Sequence, residues 1–497
     1  MAASGGTRSE LDQIAKNDNP INCDVLIIGA GIVGAAAFRE LCRYKLNVLL
    51  VDANHDVGGD ASKANSAILH GGFDPNPGTL MSKLNHDGLA LWFAWSQELS
   101  VDVEWTGSLV LAFNESEINE ITRLYENGKS VKIPVKFLGR DETLKREPVV
   151  NPEVKASLYA PVSGIIDPFQ AVVALVGNGL KNGGRIRLDT RVEEISKRSD
   201  GIYVRTSSGL IRTKVVINAA GLYADQIMRM AGENWFSIHP RRGQYMILDK
   251  NVGNLVRHVI FRAPTSIGKG ILVSRTTHGN LLIGPTAEDL DKPDKRTTAE
   301  GLATVLESAK ALVPFPYERF TIAQYAGLRA IGSIDDFVVA HSRTMEGLIN
   351  AAGIKSPGLT AAPGIAKELC NLVSALVPLE EKANFDPYFE LPPILRELPY
   401  KYREELIKGN AAFGHMVCRC ELVSEGEIEN ALKMEPPARD LDGIKRRVRA
   451  TAGRCQGGFC MPRIIDIMRK ELNLPYENIT KFGNKSNVIY GDNRGNE

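Results

Sequence analysis

Gly29, Gly31 and Gly34 form the pattern G-x-G-x-x-G between a short apolar run, DVLII (24–28), and the alanine-rich segment GAGIVGAAAFRELCRYK. DVLII has the length and β-branching of a buried parallel strand, and the segment after it has helical spacing. NVLLVD (47–52) reads as a second buried strand. Strand, glycine turn, helix and strand make a βαβ unit, so the chain enters a doubly wound α/β sheet here. The first glycine permits the tight turn, the second lets the backbone approach a pyrophosphate, and the third lets helix and strand pack closely. Asp52 ends the second strand eighteen residues past Gly34, where a carboxylate can accept from a ribose hydroxyl. The pattern predicts a dinucleotide site and leaves FAD and NAD open.

With 497 residues the chain exceeds one compact core, so several domains are expected. Sixty Lys and Arg against 59 Asp and Glu give a net charge of +1, which offers no basis for a nucleic acid partner. The first twenty residues are polar, with Glu10, Asp12 and Asp18, and read as a flexible leader. No apolar run is long enough to span a bilayer, so at most a peripheral membrane contact is expected.

Seven cysteines divide unevenly. Cys23, Cys42 and Cys370 stand alone and read as buried core thiols, whereas Cys418, Cys420, Cys455 and Cys460 lie in the last fifth of the chain. An odd total without a regular framework argues against a secreted disulfide scaffold and for a reducing, cytoplasmic compartment. Four thiolates in C-x-C and C-x₄-C steps suit a [2Fe–2S] cluster, two ligands to each iron. Tetrahedral zinc is the competing reading, although the spacings are not the usual zinc hooks. Lys445, Arg446, Arg447 and Arg449 beside them suit three roles: offsetting cluster charge, binding an anion, or forming a solvated helix face.

Three further segments resemble the flavin-binding segments of the D-amino-acid-oxidase-like (DAO) superfamily. They are GGDASKANSAILHGGFD (58–74), VVINAAGLYADQI (215–227) and GLINAAGIKSPGLTAAPGIAKEL (347–369). This resemblance implies FAD, held by Gly29, Gly31, Gly34, Asp52, Ser62, Ala220, Gly221, Gly353, Gly358, Leu359 and Thr360. HPRRGQY, GNLLIGPTAED and YAGLRAIGS add similarity to the flavin subunit of anaerobic glycerol-3-phosphate dehydrogenases. The segments VCRCELVSEGEI and IKRRVRATAGRCQGGFC resemble the bacterioferritin-associated ferredoxin-like (BFD-like) [2Fe–2S] domain, with the four cysteines as ligands.

The resemblance implies oxidation of sn-glycerol 3-phosphate to dihydroxyacetone phosphate, hydride passing to FAD and electrons onward through the cluster to an acceptor protein or subunit. An L-2-hydroxyglutarate, amino-acid or opine dehydrogenase of the same superfamily is the alternative. A redox- or metal-sensing regulatory protein is the alternative from another class. A small anionic substrate needs converging cations, and Arg329 and Lys355 are the first candidates, followed by Arg262 and Arg275. His70 in HGG is the candidate base for the substrate hydroxyl, and His239 is expected to be structural. Alternating strands such as GQYMILD, KGILVSR and NLLIGP predict an antiparallel substrate-domain sheet, and the expected boundaries are 21–385 for the flavin and substrate domains, with the substrate part at about 92–150 and 238–323. A proline-rich linker (386–400), a small helical cluster domain (401–480) and a tail (481–497) follow.

Overall fold

The computed structural model describes residues 19–264, 270–483 and 485–491, to which all counts refer. The leader therefore lies almost wholly outside the described residues, as does the end of the tail. The central sheet is built from β1 (Val25–Ile28), β2 (Val48–Val51), β3 (Arg185–Arg187), β4 (Val215–Asn218), β5 (Val338–His341) and β6 (Leu348–Ala352). Their order is β3-β2-β1-β4-β6-β5, parallel except for the edge strand β5.

Every residue of β1, β2 and β4 is buried, and the two-residue alternation of a strand explains how. Val25, Ile27, Val48, Leu50, Val215 and Ile217 pack on a helical layer. Leu26, Ile28, Leu49, Val51 and Val216 point the other way, onto a four-stranded sheet containing the hairpin of Val192–Arg198 and Gly201–Thr206. The helical layer comprises α1 (Ile32–Leu41), α2 (Leu80–Glu98), α3 (Pro168–Lys181) and α4 (Gly358–Ser374). All ten residues of α1 are buried, including Arg39, whose guanidinium pairs with Glu98 and lies 4.2 Å over the Trp95 ring. That pair ties α1 to α2. Trp92, at the expected start of the substrate part, is instead a core residue of α2 and donates to Leu359 O at 3.1 Å.

A nine-stranded, largely antiparallel sheet forms the second body. It draws on Ala156–Ala160 and Thr321–Gly332 as well as on the segments expected. Its long pair, Ile238–Leu248 against Thr321–Gly332, brings Arg241 opposite Arg329. One face packs on the helix Ala299–Leu312 through Val305, Ala309 and Leu312. The other carries Val110, Phe261 and Leu272 towards Ile68 and Phe73 of the loop after β2.

The proline-rich segment 386–400 is a docked strap. Asn178 of α3 and Asn182 at its C-cap both donate to Asp386 O, Phe389 N–H donates to Glu98 O, and Leu395 N–H donates to Glu427. The C-terminal unit that follows includes α5 (Leu441–Val448) and α6 (Met461–Leu472) around Ile428, Leu432, Leu441, Ile444, Ile464 and Met468. Ile479, Val488 and Ile489 pack back on it, with Thr480 bridged to Asn487.

The arginines of the basic run do not form a solvated face: they pair with carboxylates of the chain. Arg446 and Arg447 reach across to Asp56, which follows β2, at 2.6 and 2.8 Å, with all three side chains buried. Glu421, 2% exposed, gathers Lys250 at 2.9 Å and Arg396 and Arg449 at 3.7 Å. Arg454 adds a contact to Asp249 at 2.8 Å. Small units rarely stabilise themselves on one apolar core, and this one is seated on its host by ion pairs. No helix among the described residues is long and apolar enough to cross a membrane.

Candidate functional site

β1, β4 and β6 lie side by side in register, so their carboxyl ends form one edge where Gly29, Ala219–Gly221 and Gly353 leave the sheet. Open α/β sheets bind ligands at such an edge. Gly29 has φ +107°, and a Cβ there would lie 2.4 Å from Ala219 O. A Cβ on Gly34 would lie 1.8 Å from Gly29 O, so this crossing of turn and helix admits only glycine. Gly31 is the N-cap of α1 without a side-chain cap; Ser62 Oγ accepts from the next amide, Ile32 N–H, at 2.9 Å. A Cβ on Gly31 would fill the gap between that helix end and Ser62.

Asp52 accepts from Ala30 N–H at 2.6 Å and from Asn54 N–H at 2.7 Å. Burial raises its carboxyl above the ordinary range, against the pull of these amides. Ala220 and Gly221 begin the turn after β4, with Gly221 at φ +55°. Gly358, Leu359 and Thr360 form the first turn of α4, which likewise lacks a side-chain cap. Two helix N-termini therefore present amides at one edge, with a glycine cradle and a carboxylate beyond it. This donor set fits an adenine dinucleotide.

The loop 58–74 crosses to the antiparallel sheet. Tyr325 hydroxyl donates to Asn65 O at 2.8 Å, Tyr245 hydroxyl lies 3.2 Å from Ser66 Oγ, and the two rings stack. A Cβ on Gly327 would meet Ala64 O at 2.0 Å, so strand and loop touch backbone to backbone. His70 closes the loop. Its amide donates to Thr360 Oγ1 at 2.9 Å, its Nε2 lies 3.0 Å from Ser356 Oγ, and its ring stacks on Phe261. The histidine thus joins the start of α4 to the second sheet.

Arg329 stands on Thr321–Gly332, and its Nη2 donates to Thr286 O at 3.2 Å. Among the described residues it has no carboxylate partner. The same strand ends at Gly332, packed against Gly353, two residues before Lys355. Lys355 pairs with Asp335 at 2.7 Å. Arg262 and Arg275 differ from Arg329, because Glu117 and Glu104 neutralise them. His239 sits near Asp289 at 3.3 Å. Ser356 belongs to the motif GIKSPG, but its link to His70 spans 286 positions and no local pattern announces it.

Cys418 and Cys460 are buried, Cys455 is half-buried and Cys420 is exposed. Near neighbours come one from each loop, and not from within the C-x-C and C-x₄-C steps. Cys420 donates to Cys455 at 3.6 Å, and Cys460 donates to Cys418. That thiol, with the amides of Thr451 and Glu421, brings Cys418 down to about 6 despite burial. Cys460, the donor, is raised well above the thiol range. Burial opposes ionisation of Cys455, but the amides of Phe459 and Gly457 lower it. Among the described residues no three His, Cys, Asp or Glu side chains converge on a single-ion site. Four sulfurs in two pairs, with amides aimed at them, fit a two-iron cluster. Cys23, Cys42 and Cys370 are buried core thiols, and burial pushes Cys42 up to about 12.

The model of the family "FAD dependent oxidoreductase" (DAO) matches residues 24–372, and that of the "BFD-like [2Fe-2S] binding domain" matches 416–470, which holds all four clustered cysteines. A glycerol 3-phosphate dehydrogenase of Caloramator mitchellensis is 44% identical over 94% of this chain and 98% of its own. The anaerobic glycerol-3-phosphate dehydrogenase subunit A1 of Haloferax volcanii is 24% identical over 90% of this chain and 83% of its own. Among solved structures, the dithionite-reduced L-alpha-glycerophosphate oxidase of Mycoplasma pneumoniae with FAD bound superposes with a TM-score of 0.72, at 35% identity. It covers 75% of this chain and 100% of that one. These matches decide between FAD and NAD, and between an iron–sulfur cluster and zinc. The chain belongs to the DAO family of FAD-dependent oxidoreductases, and its cofactors are FAD and, in a BFD-like C-terminal domain, a [2Fe–2S] cluster.

Proposed function

We propose that this chain oxidises sn-glycerol 3-phosphate at its secondary alcohol to dihydroxyacetone phosphate and delivers the electrons to a protein acceptor. One observation carries the substrate class: Arg329 is a half-buried guanidinium with spare donors and no carboxylate partner among the described residues, on the strand that crosses the loop 58–74. A phosphate dianion is the complement of such a fork. The names of the relatives support the same substrate.

FAD, when bound, takes the two electrons of the alcohol, and the cluster passes them on singly. Gly29, Gly31, Gly34, Ser62, Asp52, Ala220, Gly221, Gly353, Gly358, Leu359 and Thr360 would hold FAD at the sheet edge. Cys418, Cys420, Cys455 and Cys460 would hold the cluster. His70 Nε2 takes the hydroxyl proton as hydride leaves the carbon, and Ser356 orients the imidazole. Arg329 binds the phosphate. Lys355 is the second cation, freed from Asp335, whose 94% exposed carboxylate holds it weakly.

Arg329→Met is expected to lower kcat/KM for glycerol 3-phosphate by about 10- to 150-fold, the equivalent of one lost charge-assisted bond of roughly 1.5–3 kcal/mol. Inorganic phosphate should inhibit the wild type and lose its effect on the variant, while the flavin spectrum stays the same. Equal inhibition of both proteins would remove Arg329 from the phosphate site.

The reading as a whole is tested by anaerobic titration of the purified holoprotein. Glycerol 3-phosphate should bleach the flavin band and then the cluster band, and L-2-hydroxyglutarate should bleach neither. Bleaching by the hydroxy acid alone, or by no substrate, overturns the assignment.

A further inference from the structure

The cluster loops carry an apolar surface that none of the described residues covers. Phe459 is 88% exposed, one residue before Cys460, and its amide donates to the Cys455 sulfur. Leu422 is 51% exposed, two residues after Cys420. Leu422 is also held at φ +55°, a left-handed conformation that costs a bulky residue free energy and is kept where the surroundings impose it. Both residues stand in the two loops that bring the Cys420–Cys455 sulfur pair together, the exposed side of the cysteine set, whereas Cys418 and Cys460 are 1% and 2% exposed.

The rim has one sign. Residues 416–424 and 449–463 contain the exposed Arg419, Arg454 and Arg463, while Arg449 and the one acidic side chain, Glu421, lie inward against each other. Arg419 is exposed and has no carboxylate partner among the described residues. Arg454 and Arg463 are paired, but their side chains are 61% and 59% exposed while those of Asp249 and Glu425 are 14% and 15% exposed. Solvent therefore meets positive charge around an apolar centre. Aromatic anchors in a charged rim are the anatomy of a protein interface, and the rim selects a partner of opposite sign.

We infer that the face formed by Leu422, Phe459 and Arg419 around Cys420 and Cys455 docks an acidic one-electron acceptor protein. This rests on the reading that electrons leave through the cluster. Each encounter moves one electron from the reduced cluster to the acceptor's oxidised centre, with no atom transferred.

The test uses full-length holoprotein reduced with dithionite, freed of excess reagent and mixed with either of two oxidised probes. One is an acidic plastocyanin and the other is a basic cytochrome c. Chemical reduction bypasses the substrate, so a wrong substrate assignment leaves this result intact. At low salt the rate constant for plastocyanin should exceed that for cytochrome c by about 10-fold or more and fall as salt is added. Phe459→Ser combined with Leu422→Ser should lower the plastocyanin rate about 10-fold, and Arg419→Glu should shift preference towards cytochrome c. Cluster reduction within the protein should be unchanged in both variants. Faster reaction of the wild type with cytochrome c overturns the inference, as do unchanged rates in the serine variant. So does a shift of that variant from dimer to monomer at constant probe rates, which would assign the face to a second copy of the chain.

Discussion

Exchanging His70 for asparagine is expected to slow substrate oxidation by about 10²–10⁴-fold, the usual worth of a positioned general base. FAD should stay bound, because the backbone amide of His70, and not its ring, holds Thr360 at the start of α4. Asparagine retains a polar partner for Ser356 but has no basic nitrogen. The loss should therefore fall on kcat more than on KM. Stopped-flow flavin bleaching in ordinary and deuterated water separates this role from a structural one. The wild type should show a solvent isotope effect that the variant lacks, with FAD affinity equal within a factor of a few. A variant that bleaches within tenfold of the wild-type rate would move the base elsewhere. Ser356→Ala should cost far less, since it orients the ring without taking a proton.

The parts of this molecule legible in its sequence are those whose cause is local. β1, the glycine turn, α1 and β2 are contiguous; Gly34 answers a constraint set within the same βαβ unit, Gly29 one set by the adjacent β4 turn, and Gly31 one set by Ser62 in the loop that follows β2. The antiparallel sheet was legible in its alternating strands, but its extent was not. Ala156–Ala160 joins it by pairing with Ser108–Ala112, a partner that no local pattern names.

Charged residues were the least legible. Arg262, Arg275 and Arg329 look alike as letters. They differ because Glu117, 145 positions away, neutralises the first, Glu104 neutralises the second, and no carboxylate among the described residues meets the third. Arg446 and Arg447 have the spacing of a solvated helix face and are buried only because Asp56, 390 positions earlier, follows β2. The four cysteines announced their chemistry, but their pairing across two loops depends on how Gly453 lets those loops meet. A Cβ on Gly453 would lie 2.4 Å from Cys420 Cβ.

Asp56 is where the cluster domain is most exposed to a single change. Asp56→Asn is expected to weaken the seating of that domain by about 3–5 kcal/mol, because it leaves two buried guanidinium groups facing an uncharged amide. Limited proteolysis should then cut the strap 386–400, which is docked in the wild type. Replacing Asp56, Arg446 and Arg447 together by apolar residues should cost less, because no buried charge is then stranded. Burial alone would raise the Asp56 carboxyl, but Arg447 and Arg446 override it and hold it well below the usual carboxylate range. A depressed acid stabilises the folded state in full above its unfolded value, near about pH 4, and the gain disappears as pH falls towards the folded value. Asp440, on the cluster-domain side of the interface beside Arg446, is shifted the opposite way by burial and pulls against this trend, with His55 nearby. The difference between wild type and Asp56→Asn isolates the one carboxyl. The gap in cluster-domain thermal midpoint should be constant from neutral pH down to about pH 5 and close steadily below about pH 4. A gap that stays open in acid would show that the triad does not fasten the two bodies by charge.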